Sequence, residues 1–502
     1  MCGIYAVVGE HDSDQAIENV TRLSHRGPDR TTVSGVHGLY FTRLAINGLP
    51  RSGDQPIVDD GVALVCNGEI FNHDALEKEL GYVPYSDTDC EVLLRGYNRW
   101  PFPVLCNKID GEFAIVVRDG EYTWVARDPY GVRPLFIAQT ENSVAIASEM
   151  KALASTYAGN IEQFKPGHFA VIRDHAVIQY EPYCNNIPRG FKSSCDFTLI
   201  RNLFVAAVKK RLMADVGVCA LLSGGLDSSL VAGIARVPTF SIGMYGSPDL
   251  RFAEELVDYW GTADTHTTVC PEEQEFIDAI PEVIGAIESY DVTTVRASVG
   301  NYLVAKYIKN NTDYKVVLNG DYSDELAGGY LYMKMAPDKH TFHDECVRLV
   351  KDICYFDSLR SDRTICAWGL EGRAPFADKE FLEYYMSVDP AILSPPGETT
   401  KYGLRKAFEN TNILPHNVLW RKKEAFSDGI SSKNASWHDT MHRIARKWGF
   451  ESEEAYYKSI FDKMYGLRNR NVIPYKWMPR FCDASDPSAR TLQIYDNDDR
   501  SM

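Results

Sequence analysis

The sequence predicts two domains of different class. The first is an α+β domain of stacked, mainly antiparallel sheets between helices, and the second an α/β domain on a doubly wound parallel sheet. Three observations carry this. Short strand-like runs dominate the first third, and Asp119-Gly120 between Phe113–Arg118 and Tyr122–Ala126 is a hairpin signal. Asn, Pro and Gly then cluster without periodicity from Tyr183 to Gly190. Past that cluster, strand-like and helix-like runs alternate, as in a parallel sheet. The boundary is placed there, giving domains over residues 2–185 and 195–502.

The chain opens Met1-Cys2-Gly3-Ile4, continuing apolar to Val8. A small second residue permits removal of Met1, which makes Cys2 the first residue. An α-amine titrates near a thiol, at about 7.7–8.0 against about 8.5, so one residue then holds both a nucleophile and its base. Further on, Val62–Cys66 reads as a buried strand delivering Asn67-Gly68-Glu69, and Arg43–Ile46 as a short strand-like run. Ser86-Asp87-Thr88-Asp89 is an acidic turn that starts a helix, with serine or aspartate as its cap. Phe136–Ala138 and Val144–Ala147 continue the sheet, and Ser148–Leu153 turns helical.

Past the boundary, Leu199 to Met213 is apolar at helical spacing. The strand-like Val218–Leu222 then meets Ser223-Gly224-Gly225-Leu226-Asp227-Ser228-Ser229, and a helical run follows to Ala235. Two glycines let the backbone turn tightly, and the loop and helix-start amides converge on an anion, most often a phosphate. The loop lacks the lysine of the common triphosphate loop and carries Asp227 instead. A carboxylate beside phosphates implies a divalent ion between them, hence magnesium and a polyphosphate. Thr239–Met244 and Tyr314–Leu318 are further strands, the second ending in Asn319-Gly320-Asp321-Tyr322-Ser323-Asp324. Ligands of such sheets lie at the carboxyl ends of strands, where Ser223 and Asn319 both fall.

The composition bounds the partners. Of 502 residues, 45% are hydrophobic and 24% charged, with a formal charge of −16, which argues against a nucleic-acid partner. No apolar run reaches membrane-spanning length, and no basic stretch precedes the short N-terminal apolar run as in a secretory signal. The 12 cysteines form no CxxC pair and no metal spacing, which fits a reducing cytoplasm best.

Ser223 to Ser229 resembles the pyrophosphate loop of the ATP pyrophosphatase superfamily. The opening Met1–Ile4, His25-Arg26-Gly27-Pro28-Asp29, Asn67–Ile70 and Asp128–Leu135 together resemble a class II glutamine amidotransferase, an N-terminal-nucleophile hydrolase. The resemblance extends through Cys366–Phe376, Leu419–Ile430, Trp477-Met478-Pro479 and Asp486–Thr491, so that nearly the whole chain is similar to the glutamine-dependent asparagine synthetases.

That resemblance implies roles. Cys2 attacks the glutamine amide, and the Asn67 side chain and Gly68 amide hold the oxyanion. Glutamine lies along Arg43, Leu44, Ala45 and Ile46, with Arg43 on its carboxylate and Glu69 and Asp89 on its ammonium. ATP lies on Leu222, Ser223, Gly224, Gly225, Asp227 and Ser228, with Ile242, Asn319 and Gly320 beside it. Asp227 and Asp324 hold Mg2+, and Lys423 neutralises pyrophosphate. L-aspartate is adenylated to β-aspartyl-AMP, and ammonia reaches it through an apolar tunnel. A homodimer is possible on this resemblance.

One stretch departs from the family pattern. Asp321 stands where the family has the glutamate that handles protons during ammonia attack, and Tyr322 where it has glycine. Asp321 shortens the reach by roughly 1.5 Å, and a non-glycine residue resists a positive φ. Either the loop shifts to deliver Asp321 to the same point, or ammonia transfer is slow or lost. The alternatives to synthesis of asparagine are therefore a non-synthetic glutaminase or ligand-binding regulatory homologue, and another ATP-dependent amidotransferase.

Overall fold

The hairpin at Asp119-Gly120 forms: Gly111–Asp119 and Tyr122–Arg127 pair antiparallel, with Asp119 opposite Tyr122. The structure, a computed structural model, describes all residues except 50, 185–186, 189, 423–436, 485 and 488–502. The hairpin lies inside a six-stranded antiparallel sheet that also holds Val62–Ile70. A second six-stranded antiparallel sheet contains Gly3–Gly9 between Ser143–Ala147 and Leu39–Arg43. Strand periodicity of two explains the stack. Ile4, Ala6 and Val8 face Ala63, Val65, Ala114 and Val116 between the sheets. Leu64, Cys66, Ile115 and Val117 point the other way, onto Leu76, Leu93 and Leu105 of the covering helices.

The second half carries a five-stranded parallel sheet in the order His266–Val269, Thr239–Ile242, Val218–Leu221, Val316–Leu318, Glu371–Arg373. Helices cover both faces, among them Phe197–Lys210, Leu226–Ala235 and Val292–Asn311. Among the described residues, no helix is long and apolar enough to cross a membrane.

Three local expectations need correction. Residues 44–46 are not strand: the strand ends at Arg43, and the chain turns so that Ala45 N–H donates to Asp29 Oδ2 at 2.8 Å. The helix Glu91–Arg99 has Cys90 at its cap and no side-chain cap bond. The acids of that turn are used elsewhere, since Asp89 Oδ2 accepts from Ile70 N–H at 2.7 Å and Glu91 takes Ser86 N–H and Oγ–H. Ser148–Leu153 forms only the short 3-10 turn Met150–Ala152, because Glu149 is extended and buried in ion pairs with Arg26 and Lys151.

The halves share a core and a charged seam. One hydrophobic cluster runs from Tyr5, Val20 and Phe136 to Ile280, Val295 and Leu370. Across the seam Arg26 meets Asp362 at 2.8 Å, Arg211 meets Glu112 at 2.9 Å, and Glu288 accepts from the Met150 and Lys151 amides. Buried charge is costly unless paired, and here each arginine has at least one carboxylate partner.

Candidate active sites

Cys2 immediately precedes the strand Gly3–Gly9, and Asn67, Gly68 and Glu69 lie late in Val62–Ile70, so two strand ends bring the predicted nucleophile and oxyanion donors together. Cys2 N–H donates to Asn67 Oδ1 at 2.9 Å, and its Sγ lies 3.8 Å from the Leu44 carbonyl. Burial pushes the Cys2 thiol up to about 11, against the pull of the Met1 ammonium. A thiol so placed needs a base beside it. The buried Asn67 Nδ2 makes no hydrogen bond among the described residues. An unpaired buried amide donor costs about 1–3 kcal/mol and is suited to an oxyanion.

Met1 is present and only 1% exposed. Its ammonium meets Glu371 Oε2 at 3.2 Å, and its sulfur takes N–H groups of Arg133 and Arg26. Glu69 and Asp89 are buried close by. Burial, then Glu371 and Asp89, raise the Glu69 carboxyl, and burial raises Asp89. Two carboxyls held above their ordinary range by lack of water and by negative neighbours favour a cation. Arg43, buried at the strand end, bonds Asp54 Oδ1 at 2.8 Å and the Gly48 carbonyl.

The second site lies at the carboxyl ends of the parallel strands, as predicted. A cavity of about 230 Å3 is lined by Leu222, Ser223, Gly225, Asp227, Ser228, Ile242, Asn319, Gly320, Asp321 and Asp324. Gly224 does not line it. Its φ is +70°, and a Cβ there would fall 2.4 Å from Phe252 Cβ, so this glycine sets the turn from behind. Ser223 N–H donates to Ser228 Oγ at 3.1 Å, closing the loop onto its own helix start. At Gly320 a Cβ would meet Ser228 N at 2.7 Å, so the two phosphate-side loops touch through backbone alone. Lys423 lies outside the described residues.

Asp227 and Asp324 converge on one point. Lys401 Nζ reaches Asp227 Oδ2 at 2.6 Å and Asp324 Oδ1 at 2.5 Å, with Ser323 Oγ at 3.1 Å. Two carboxylates gathered around one cationic centre at the rim of the Ser223–Ser228 loop are the kind of oxygen donors that magnesium takes, so these residues fit the ion. Lys401 was not legible in the sequence. It is a lone lysine before a seven-residue helix, Tyr402–Phe408, and its left-handed backbone, φ +58°, carries no sequence signal.

The departing stretch keeps its backbone turn. Tyr322 adopts φ +75° with its ring buried, and its hydroxyl is 2.5 Å from Ser358 Oγ. Left-handed backbone costs a residue with a side chain about 1–3 kcal/mol, here set against a buried aromatic ring. Asp321 lines the cavity and meets Arg360 NH2 at 2.5 Å. Burial raises the Asp321 carboxyl, and Arg360 opposes it. Arg360 was also missed, since an arginine inside the helix Asp357–Cys366 reads as an ordinary surface charge.

The asparagine synthase family model matches residues 199–341 and 334–478, and the glutamine amidotransferase domain model matches residues 1–165. The asparagine synthetase [glutamine-hydrolyzing] of Gallus gallus is 38% identical over 99% of this chain and 99% of its own length. That of Cricetulus griseus is 39% identical with the same coverage, and that of Homo sapiens 38%. The chain belongs to the asparagine synthetase family. The amidotransferase match covers the antiparallel first half and the asparagine synthase match the parallel second half. Among solved structures, the glutamine phosphoribosylpyrophosphate amidotransferase of B. subtilis is 17% identical over 64% of this chain and 81% of its own, with a TM-score of 0.33, too low to bear on fold or function.

Proposed function

We propose that this member of the asparagine synthetase family makes L-asparagine from L-aspartate, ATP and glutamine, releasing glutamate, AMP and pyrophosphate. One observation carries the reading. Arg373 belongs to the strand Glu371–Arg373 of the parallel sheet, yet its guanidinium reaches Glu69 Oε1 at 3.3 Å and its carbonyl accepts from Asn319 N–H at 3.1 Å. One residue thus touches both the cysteine corner and the strand end beside the ATP-side cavity, which places the two sites next to each other.

In this reading the units are residues 2–185 and 195–502. Once Met1 is removed, the Cys2 amine takes the thiol proton and the thiolate attacks the glutamine amide. Asn67 Nδ2 and the Gly68 amide receive the oxyanion. Glu69 and Asp89 hold the substrate ammonium, and Arg43 releases Asp54 to hold its carboxylate, with Leu44 to Ile46 alongside. In the second half the loop from Leu222 to Ser228 and the Asn319-Gly320 turn orient the triphosphate beside Ile242. Asp227 and Asp324 would hold magnesium, which would supply charge neutralisation on the phosphates. Lys423 approaches the leaving pyrophosphate, and Asp321 manages the proton as ammonia, arriving by an apolar route between the halves, attacks β-aspartyl-AMP. The reading places the protein in the cytoplasm with neither nucleic acid nor membrane as a partner, and it is compatible with a homodimer.

The test supplies aspartate, ATP, Mg2+ and glutamine, and follows asparagine, AMP and glutamate together. Equal yields of the three are expected. Glutamate without AMP or asparagine would overturn the reading in favour of a glutaminase, and AMP without asparagine would place a defect at Asp321. Ligand binding with no product at all would mark a regulatory homologue.

A further inference from the structure

Among the described residues, three groups of histidine, cysteine and carboxylate side chains gather closely enough to share an ion. In the first, His25, Glu149 and Cys366, the Arg26 guanidinium already fills the centre, 2.7 Å from Glu149 and 3.0 Å from Cys366. The second, His73, Asp74 and Glu77, is confined to the first turns of one short helix, and Asp74 points into solvent at 78% side-chain exposure. The third joins two distant parts of the chain: His438 and His442 with Asp486.

The geometry points to a divalent transition-metal site, of the kind zinc occupies, formed by His438, His442 and Asp486. The histidines are four apart on the helix Trp437–Lys447 and so share one face, with ring centroids 4.4 Å apart. His438 Nε2 lies 3.7 Å and His442 Nε2 3.9 Å from the same oxygen, Asp486 Oδ2. These spacings are too long for hydrogen bonds. They are a few tenths of an ångström wider than the separation of about 3.4 Å between neighbouring donors on a tetrahedral ion with bonds of about 2.1 Å.

The donors are also supported from behind, as metal ligands are. The other ring nitrogen of His438, Nδ1, is 3.0 Å from Asp439 Oδ1, which turns Nε2 toward Asp486. Arg296 grips both oxygens of Asp486, each at 3.1 Å, and fixes the carboxylate plane. That guanidinium is shared with the buried Glu453. Side-chain exposures of 21%, 39% and 17% leave an entry path and room for water as a fourth ligand. Two imidazoles select zinc, cobalt or nickel over magnesium, a hard ion that prefers oxygen.

The ion would act as a clasp. Asp486 adjoins Pro487, and Trp477, Pro479, Pro487 and Arg296 all wall the ATP-side cavity. An ion on Asp486 therefore fastens this wall to the helix that begins at Trp437.

The experiment uses the full chain stripped with a chelator and titrated with Co2+ as a visible probe. Wild type is expected to take up one more Co2+ per chain than His438→Ala/His442→Ala, with the absorption of a tetrahedral site, and millimolar Mg2+ should not displace it. His442→Ala alone should weaken this uptake at least tenfold. Added Zn2+ should slow amide exchange of residues 477–487 in wild type and leave the double variant unchanged. Both histidines are partly exposed on the helix surface, and circular dichroism verifies that the variants fold. Equal uptake by wild type and double variant would overturn the site and leave the histidines as ordinary partners of Asp486. Uptake without slower exchange would overturn the clasp. Neither readout depends on catalysis, so failure here is distinct from failure of the synthetase reading.

Discussion

The cysteine corner and the ATP-side cavity solve the same electrostatic problem in opposite surroundings. Each gathers carboxylates that need a cation, and in each the chain supplies one of its own. At the corner it is the Met1 ammonium on Glu371, in a place where Met1 is 1% exposed. At the cavity it is Lys401 between Asp227 and Asp324, beside about 230 Å3 of open space. The difference is in how the stand-in leaves. Met1 departs only by cutting a peptide bond, whereas a lysine on a four-carbon stem can yield to an ion and return. In the proposed reaction, the corner would be made competent once and the cavity on every turnover.

The sharpest way to separate the two is Cys2→Ala. Glutamine-dependent synthesis should fall by on the order of 10⁴-fold or more, while ammonium-dependent synthesis persists, measured as asparagine formed from each nitrogen source. Asp227→Asn should do the reverse, lowering AMP formation by about 10²-fold or more and sparing glutamine hydrolysis. If both activities collapse together in either variant, the sites are not separable in this way. Lys401→Met tests the stand-in itself. It removes the ammonium that bridges two mostly buried carboxylates, and metal-free protein should lose about 3 kcal/mol in chemical denaturation. Millimolar Mg2+ should restore more stability to this variant than it adds to wild type.

Acid should weaken the seam between the halves. Burial pushes Glu149 up, but Lys151, His25 and Arg363 outweigh it and hold the carboxyl well below its usual range. Burial likewise pushes Asp378 up, but Arg211 and Lys210 outweigh it and hold the carboxyl below its usual range. A depressed carboxyl contributes stability that is fully present above its unfolded value, about 4, and lost as pH falls through the lower folded value. Thermal midpoints should therefore drop by several degrees between pH 5 and pH 3. Glu69 and Asp89, both raised, act with the opposite sign and blunt the loss. The smallest effect is expected from Tyr322→Phe, which removes the contact with Ser358 and should cost about 1 kcal/mol, with φ at residue 322 unchanged.

Strand periodicity and turn residues made the sheets of both halves legible, since the alternation in Ile4, Ala6 and Val8 and the apolar run 218–222 follow from which faces are buried. The Ser223–Ser229 loop was legible because its strand, glycine turn and helix start are adjacent in sequence. What was hidden is what tertiary packing decides. The pairing of Lys401 with Asp227 spans 174 positions and that of Arg26 with Asp362 spans 336, distances over which no periodicity speaks. The cap at Cys90 was misread for a related reason. Asp89 had a distant backbone amide to satisfy, and that bond won over the local one.

The burial of Met1 sets a deadline. Its ammonium lies against Glu371, a residue of the second half, and Arg133 and Arg26 close around its sulfur. At roughly 5–20 residues per second, a ribosome needs roughly 20–75 s to travel from the start codon to the codon for Glu371. Until then the N-terminus has no such partner and a peptidase can reach it. Afterwards the substrate of that peptidase is locked inside the product. In the proposed reaction, a chain that keeps Met1 past this interval keeps the Cys2 amine blocked.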